Sequence, residues 1–291
     1  MKDKRSEEAR MKEKRRFMEP EDYIDPACPF CTEQYEKTPP VRSIPADRVI
    51  KKLDEHLSRS DYAAAERHLL YWLAEAEAGR DPRGEFLVRG ELVGLYRKLG
   101  REKDSLGQSE KTMELVARLG MENGADGATA MINRATALKA FGHAKESLPL
   151  FEKARAVYES SPALRPEMLG GLYNNYALAL TDAGRFAEAR ALYEKALSVM
   201  EKAENGEPER AVTWLNLADL ETAENGPEAA EEAVARCLGE AEALLDRPGI
   251  PRDGNYAFVC EKCAPTFAYY GWFMTARDLR RRAAEIYGGE S

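Results

Sequence analysis

Residues 172–197 read LYNNYALALTDAGRFAEARALYEKAL, and this stretch decides the fold. Apolar residues recur at steps of three and four on both sides of Gly184, the spacing of a helical face repeated twice. The glycine between can adopt the left-handed backbone conformation that turns a chain sharply from one helix into the next. One unit is therefore helix, tight turn, helix.

The unit recurs along the chain. Gly100 (RKLGREKDS), Gly142 (KAFGHAKES) and Gly271 (AYYGWFMTA) take the place of Gly184, and Ser60 and Asn225 fall in register with them. Successive intervals are 40, 42, 42, 41 and 46 residues. Five residues after each point stands a small side chain: Ala65, Ser105, Ser147, Ala189, Ala230 and Ala276. Seven residues before stand Leu53, Val93, Ala135, Ala177, Ala218 and Ala264. Short side chains at fixed places let two helices approach to about 8 Å. Pro82, the NGADG run at 123–127, Pro166, Pro208 and Pro248 with Pro251 separate one pair from the next. No stretch alternates in the manner of a strand. The expected fold is all-α, a right-handed superhelical solenoid of about six helix-turn-helix repeats over residues 46–291. Residues 1–45 are a leader with a charged start and a CPFC segment.

The order of bulky residue, small residue, tyrosine, glycine and alanine resembles tetratricopeptide repeats over about residues 46–287. The quoted stretch carries the likeness best, followed by MINRATALKAFGHAKESLPLFEKARAVY at 131–158. The usual repeat is about 34 residues long; units near 42 are similar to the longer-helix subtype of kinesin light chains and bacterial peptide-sensing proteins. Leu53 and Val93 depart from the small-residue pattern, and Pro265 is expected to kink the first helix of the last unit. The resemblance implies a protein-protein interaction module whose first helices line a concave groove for an extended peptide or partner segment.

Three successive units place asparagine at one register of that first helix: Asn133, Asn175 and Asn216. Asparagine costs a helix interior roughly 0.5 kcal/mol against alanine. Its amide both donates to and accepts from a peptide backbone. The other reading is that each asparagine bonds a neighbouring repeat or the following loop. Arg97, Lys98 and Lys139 toward the N-terminal half, with Asp182 and Asp219 toward the other, predict a polarised groove that orients its guest; a solvated helix face is the alternative. A chaperone-type carboxylate clamp needs a second asparagine three residues on, where Thr136, Leu178 and Asp219 stand instead.

The 291 residues carry 43 Lys+Arg against 51 Asp+Glu, a net charge of −8, which argues against general nucleic-acid affinity. The longest uncharged apolar stretch near the C-terminus, 263–276, has 14 residues, short of the roughly 20 a membrane span needs. The N-terminal 16 residues alternate charge and have no apolar core, so they are not read as a secretory signal and the expected location is cytoplasmic.

Five reduced cysteines suit that compartment. Cys237, Cys260 and Cys263 hold core registers and are expected to pack as small hydrophobes. Cys28 and Cys31, in CPFC, lie outside the repeats and are candidate zinc or thiol-redox ligands. The alternative is that this segment docks Tyr23, Ile24 and Phe30 against the first repeat. His56, His68 and His143 are scattered, and there is no HExxH, phosphate loop or dinucleotide fingerprint. The sequence reads as a non-enzyme with no cofactor. Besides peptide binding, it allows an assembly scaffold using convex or terminal surfaces, such as a homodimer through Tyr269, Tyr270 and Trp272, and a zinc or redox protein built on CPFC.

Overall fold

The computed structural model describes residues 41–162 and 164–289, and CPFC with the rest of the leader through residue 40 lies outside them. Among the described residues there are twelve α-helices and no strand. They run α1 Ala46–Ser58, α2 Tyr62–Ala78, α3 Pro82–Lys98, α4 Glu102–Arg118, α5 Ala125–Ala140 and α6 Ala144–Glu159. Then follow α7 Pro166–Asp182, α8 Phe186–Met200, α9 Glu207–Asn225, α10 Pro227–Leu245, α11 Gly254–Tyr269 and α12 Phe273–Gly289. The unit they form begins at Ser43.

Each odd-numbered helix packs on the even-numbered one after it, giving six pairs. First helices also touch one another in series, α3 on α5, α5 on α7, α7 on α9 and α9 on α11, and so form a continuous wall. The two rows of small residues explain the close pairing. Ala65, Ser105, Ser147, Ala189, Ala230 and Ala276 are all buried, as are Leu53, Val93, Ala135, Ala177, Ala218 and Ala264. Backbone at positive φ reverses the chain within every pair, at Ser60, Gly100, Gly142, Gly184, Gly226 and Gly271.

One detail departs from the sequence reading. In the fifth pair the left-handed residue is Gly226 (φ 79°), not Asn225, which is the last residue of α9. The helix runs a residue or two longer there, because Gly226 both ends it and precedes Pro227, a residue whose missing N–H costs nothing in the first turn of α10. Pro265, where a kink is expected, lies inside α11, which runs on to Tyr269, and Pro149 lies likewise inside α6.

Local chemistry sets several helix starts. Asp61, Asp81 and Asp253 each accept a backbone N–H three residues on, at 3.0 Å. Asp81 is buried and its second oxygen accepts from Ile44 N at 2.9 Å, which ties the entry of the chain to α3. Gly84 permits that approach: a Cβ there would lie 2.4 Å from Asp81 Oδ2 and 2.7 Å from Ile44 Cγ1.

The apolar core falls into two clusters. One gathers Val49, Leu69, Val88 and Leu92 from α1–α3; the other runs from Ala128 to Ala283. Between them, α4 turns Ser105, Ser109 and Thr112 inward, all buried. Their hydroxyls donate to the carbonyls of Val93 (2.9 Å), Leu106 (2.7 Å) and Gln108 (2.8 Å). Hydrogen bonds satisfy this part of the seam, and the buried apolar side chains of α4, Leu115 and Val116, lie toward its end.

Candidate functional site

Asn133, Asn175 and Asn216 occupy α5, α7 and α9 of the first-helix wall, all half-buried. Carrying the repeat intervals outward from them adds Glu91 in α3 and Lys262 in α11 to the same register. The row is therefore three amides between a carboxylate and an ammonium group.

The amides are engaged to different degrees. Asn216 Nδ2 donates to Asn174 Oδ1 at 3.2 Å, and Asn174 Nδ2 donates to Thr213 Oγ1 at 2.9 Å. Thr213 Oγ1 in turn donates to Glu209 O at 2.9 Å, completing a chain of donors across α7 and α9. Asn175 Nδ2 donates to Gly171 O of its own helix at 2.9 Å. Asn133 lies toward α3, its Nδ2 3.9 Å from the place of a Cβ on Gly90. The neighbour-bonding alternative thus describes Asn216, whose donor is spent within the wall. Its carbonyl oxygen has acceptor capacity of its own. Asn175 and Asn216 line one cavity of about 150 Å³ together with Asn174, Leu178, Val212, Phe258 and Lys262. Phe258 is 55% exposed there, an unusual setting for a phenylalanine inside a repeat array.

The charges do not form the two poles expected. Lys139 Nζ stands 3.4 Å from Asp182 Oδ2, so these two residues pair across α5 and α7 and neutralise each other. Asp219 Oδ1 accepts from the Tyr270 hydroxyl at 2.9 Å. Lys98 Nζ lies 5.0 Å above the Tyr62 ring, directed at α2. Arg97 and Lys262 have no ion-pair partner among the described residues.

Arg97, Asp219 and Lys262 are open to water, yet surrounding protein is the largest influence on the ionisation of each. It lowers the pKa of Arg97 and Lys262 and raises that of Asp219; half-buried Glu91 is raised in the same way. Groups that remain reachable by solvent while walled by protein belong to a hollow surface.

The described cysteines and histidines are accounted for by packing, a backbone contact and a carboxylate partner. Cys237, Cys260 and Cys263 are free, buried thiols in the larger core cluster. Burial pushes Cys237 up to about 11 and Cys263 up to about 12, values that keep both as neutral thiols. A four-cysteine zinc site joining them to Cys28 and Cys31 would need two core thiols turned out and ionised. His56 and His68 are not scattered: their rings meet edge-on, 5.8 Å apart, with His68 Nε2 2.9 Å from Val49 O. His143 Nε2 is 2.9 Å from Glu102 Oε1. No group of three or more metal-ligating side chains occurs among the described residues.

The family model for the tetratricopeptide repeat matches residues 86–160 and 169–239, together half of the chain. The chain belongs to the tetratricopeptide repeat family. All three row asparagines fall inside the matched segments; Lys262 falls beyond them. Among solved structures, BtubC (BKLC) from P. vanneervenii is similar at 20% identity and a TM-score of 0.58, over 70% of this chain and 83% of that one. A Podosopora anserina chain of nearly identical kinesin light chain TPR-like repeats is 18% identical with a TM-score of 0.47, over 70% of this chain and 95% of that one. No curated protein matches. The first likeness establishes the fold, and the repeats mark a protein-protein interaction module. No helix among the described residues is long and apolar enough to cross a membrane.

Sequence reasoning missed Lys262 and Asn174. Lys262 follows from the asparagine register carried one unit further, across the longest interval. Asn174 stands where the adjacent units hold Ile132 and Leu215, so a polar residue in an apolar register was the available signal.

Proposed function

We propose that this tetratricopeptide repeat protein is a non-catalytic binder of an extended protein segment, held along the wall of first helices. The observation that carries the reading is the amide row beside a cavity with an exposed phenylalanine. Asn175 and Asn216 would offer carbonyl oxygens to the backbone N–H groups of the guest, while Phe258, Leu178 and Val212 receive one apolar side chain. Donors already tied within the wall hold those oxygens in place before the guest arrives, which lowers the ordering cost of binding. Core thiols that stay reduced suit a cytoplasmic setting.

The test uses a resin-bound library of random 12-residue peptides. Peptides captured by the native chain should bind the N133A/N175A/N216A variant about tenfold to a hundredfold more weakly, with helicity preserved, since each lost hydrogen bond costs roughly 0.5–1.5 kcal/mol. Unchanged affinity of the variant would remove the groove as the binding surface.

A second reading rests on a separate observation. Tyr269, Phe273 and Met274 expose 76%, 69% and 69% of their surface around the turn from α11 into α12. This is the terminal surface on which a scaffold or homodimer would form, and binding there would be indifferent to the asparagine changes.

A further inference from the structure

Gly171 lies inside α7, where glycine is the least favourable residue short of proline. Its neighbour Gly170 has a packing reason: a Cβ there would lie 2.6 Å from Sδ of Met200, a buried side chain of α8. Gly171 has none, since a Cβ at this position would meet nothing within 4 Å. It lines the cavity of about 150 Å³ that Asn175, Val212 and Phe258 also line. At the register of Gly171, the next two units hold Val212 and Phe258. On α7 that row carries no side chain, and the Phe258 ring in the same cavity is 55% exposed.

We infer that Gly171 sets the depth of this cavity and thereby selects a phenylalanine ring of the bound segment. This rests on the groove reading and deepens it by naming the guest side chain and the residue that admits it. A space of about 150 Å³ is the size that holds a benzene ring. Leu178 and Val212 supply apolar walls, and the exposed Phe258 offers the offset or edge-on pairing that aromatic rings prefer. Asn175 Nδ2 donates to Gly171 O at 2.9 Å, so the amide that would meet the guest backbone is anchored at the residue that leaves the seat open. A side chain at position 171 would favour the helix and fill the seat.

The experiment measures melting temperature and peptide affinity for G171A, G171L and G239A. In G239A, alanine replaces a glycine inside α10 whose Cβ position is equally open and which does not line the cavity. The probes are peptides captured by the native chain from the 12-residue library. They should share a phenylalanine, and its change to alanine should weaken binding about tenfold to a hundredfold, the worth of one buried side chain. G171A and G239A should both melt above the native chain. G239A should bind the peptides as the native chain does. G171L should bind them about tenfold or more weakly, the effect of overfilling a packed space, with G171A between the two. G171L should also select alanine or valine where the native chain selects phenylalanine. Equal affinity of the native chain and G171L, with N133A/N175A/N216A still weakened, would overturn the role of Gly171 and leave the groove intact. So would a lower melting temperature for G171A, an equal loss of affinity in G239A, or captured peptides that share no aromatic residue. Unchanged affinity of N133A/N175A/N216A would overturn the groove and this inference with it.

Discussion

Asn174 stands where the flanking repeats carry Ile132 and Leu215, and its amide accepts from Asn216 while donating to Thr213. A side chain used in this way is a positioning residue for the row. Single-residue logic of this kind was only partly legible beforehand. The register of Asn133, Asn175 and Asn216 could be counted, but which amide atoms were spent inside the wall depends on helix-to-helix distances that no spacing encodes. The pairing of Lys139 with Asp182 was hidden for the same reason: the sequence places both on the wall, and only the crossing of α5 and α7 brings them to 3.4 Å. The core cysteines were legible, because Cys260 and Cys263 fall in the registers of Trp214 and Leu217. Their chemistry follows from burial. With Cys263 raised to about 12 and Cys237 to about 11, thiolate is scarce at pH 8, and access is closed as well. Iodoacetamide at pH 8, read by mass spectrometry, should modify Cys237, Cys260 and Cys263 only after denaturant is added. Rapid modification of Cys263 in the native protein would contradict its placement.

At the scale of the helix, α4 is the weak joint. Its inward face carries Ser105, Ser109 and Thr112, where other second helices present Leu192 and Tyr193 or Val234 and Leu238. A hydroxyl bonded to a carbonyl is satisfied but contributes little, whereas each buried methylene it displaces is worth about 0.8 kcal/mol. The two core clusters meet across this seam, and repeat arrays lose structure at their weakest interface first. Native-state hydrogen exchange should therefore find the amides of α1–α3 opening as one unit, about tenfold less protected than those of α7–α10. Uniform protection across both regions would show that α4 couples them fully. The polar residues of α4 were visible in the sequence, and Ser105 was recognised as a small packing residue. Their joint effect was not, because it depends on three side chains sharing the first part of one buried face, with Leu115 and Val116 buried only toward its end.

The whole molecule was the most legible level. A rhythm near forty-two residues, small side chains at two fixed places and a turn residue between them leave one arrangement that buries every apolar face, a stack of helix pairs. The amount of curvature was not legible. Small rotations from one pair to the next accumulate, and their total is set by helix-to-helix packing that no residue spacing encodes. The concave groove that the repeat resemblance implied, and the function proposed here, depend on that curvature. The most direct measurement is a structure of the chain with a library-selected peptide bound. The account predicts an extended backbone crossing α7, α9 and α11 within hydrogen-bond distance of Asn175 and Asn216, with an apolar side chain against Phe258. A peptide seated on the even-numbered helices, or against Tyr269 and Phe273 with the amide row empty, would contradict it.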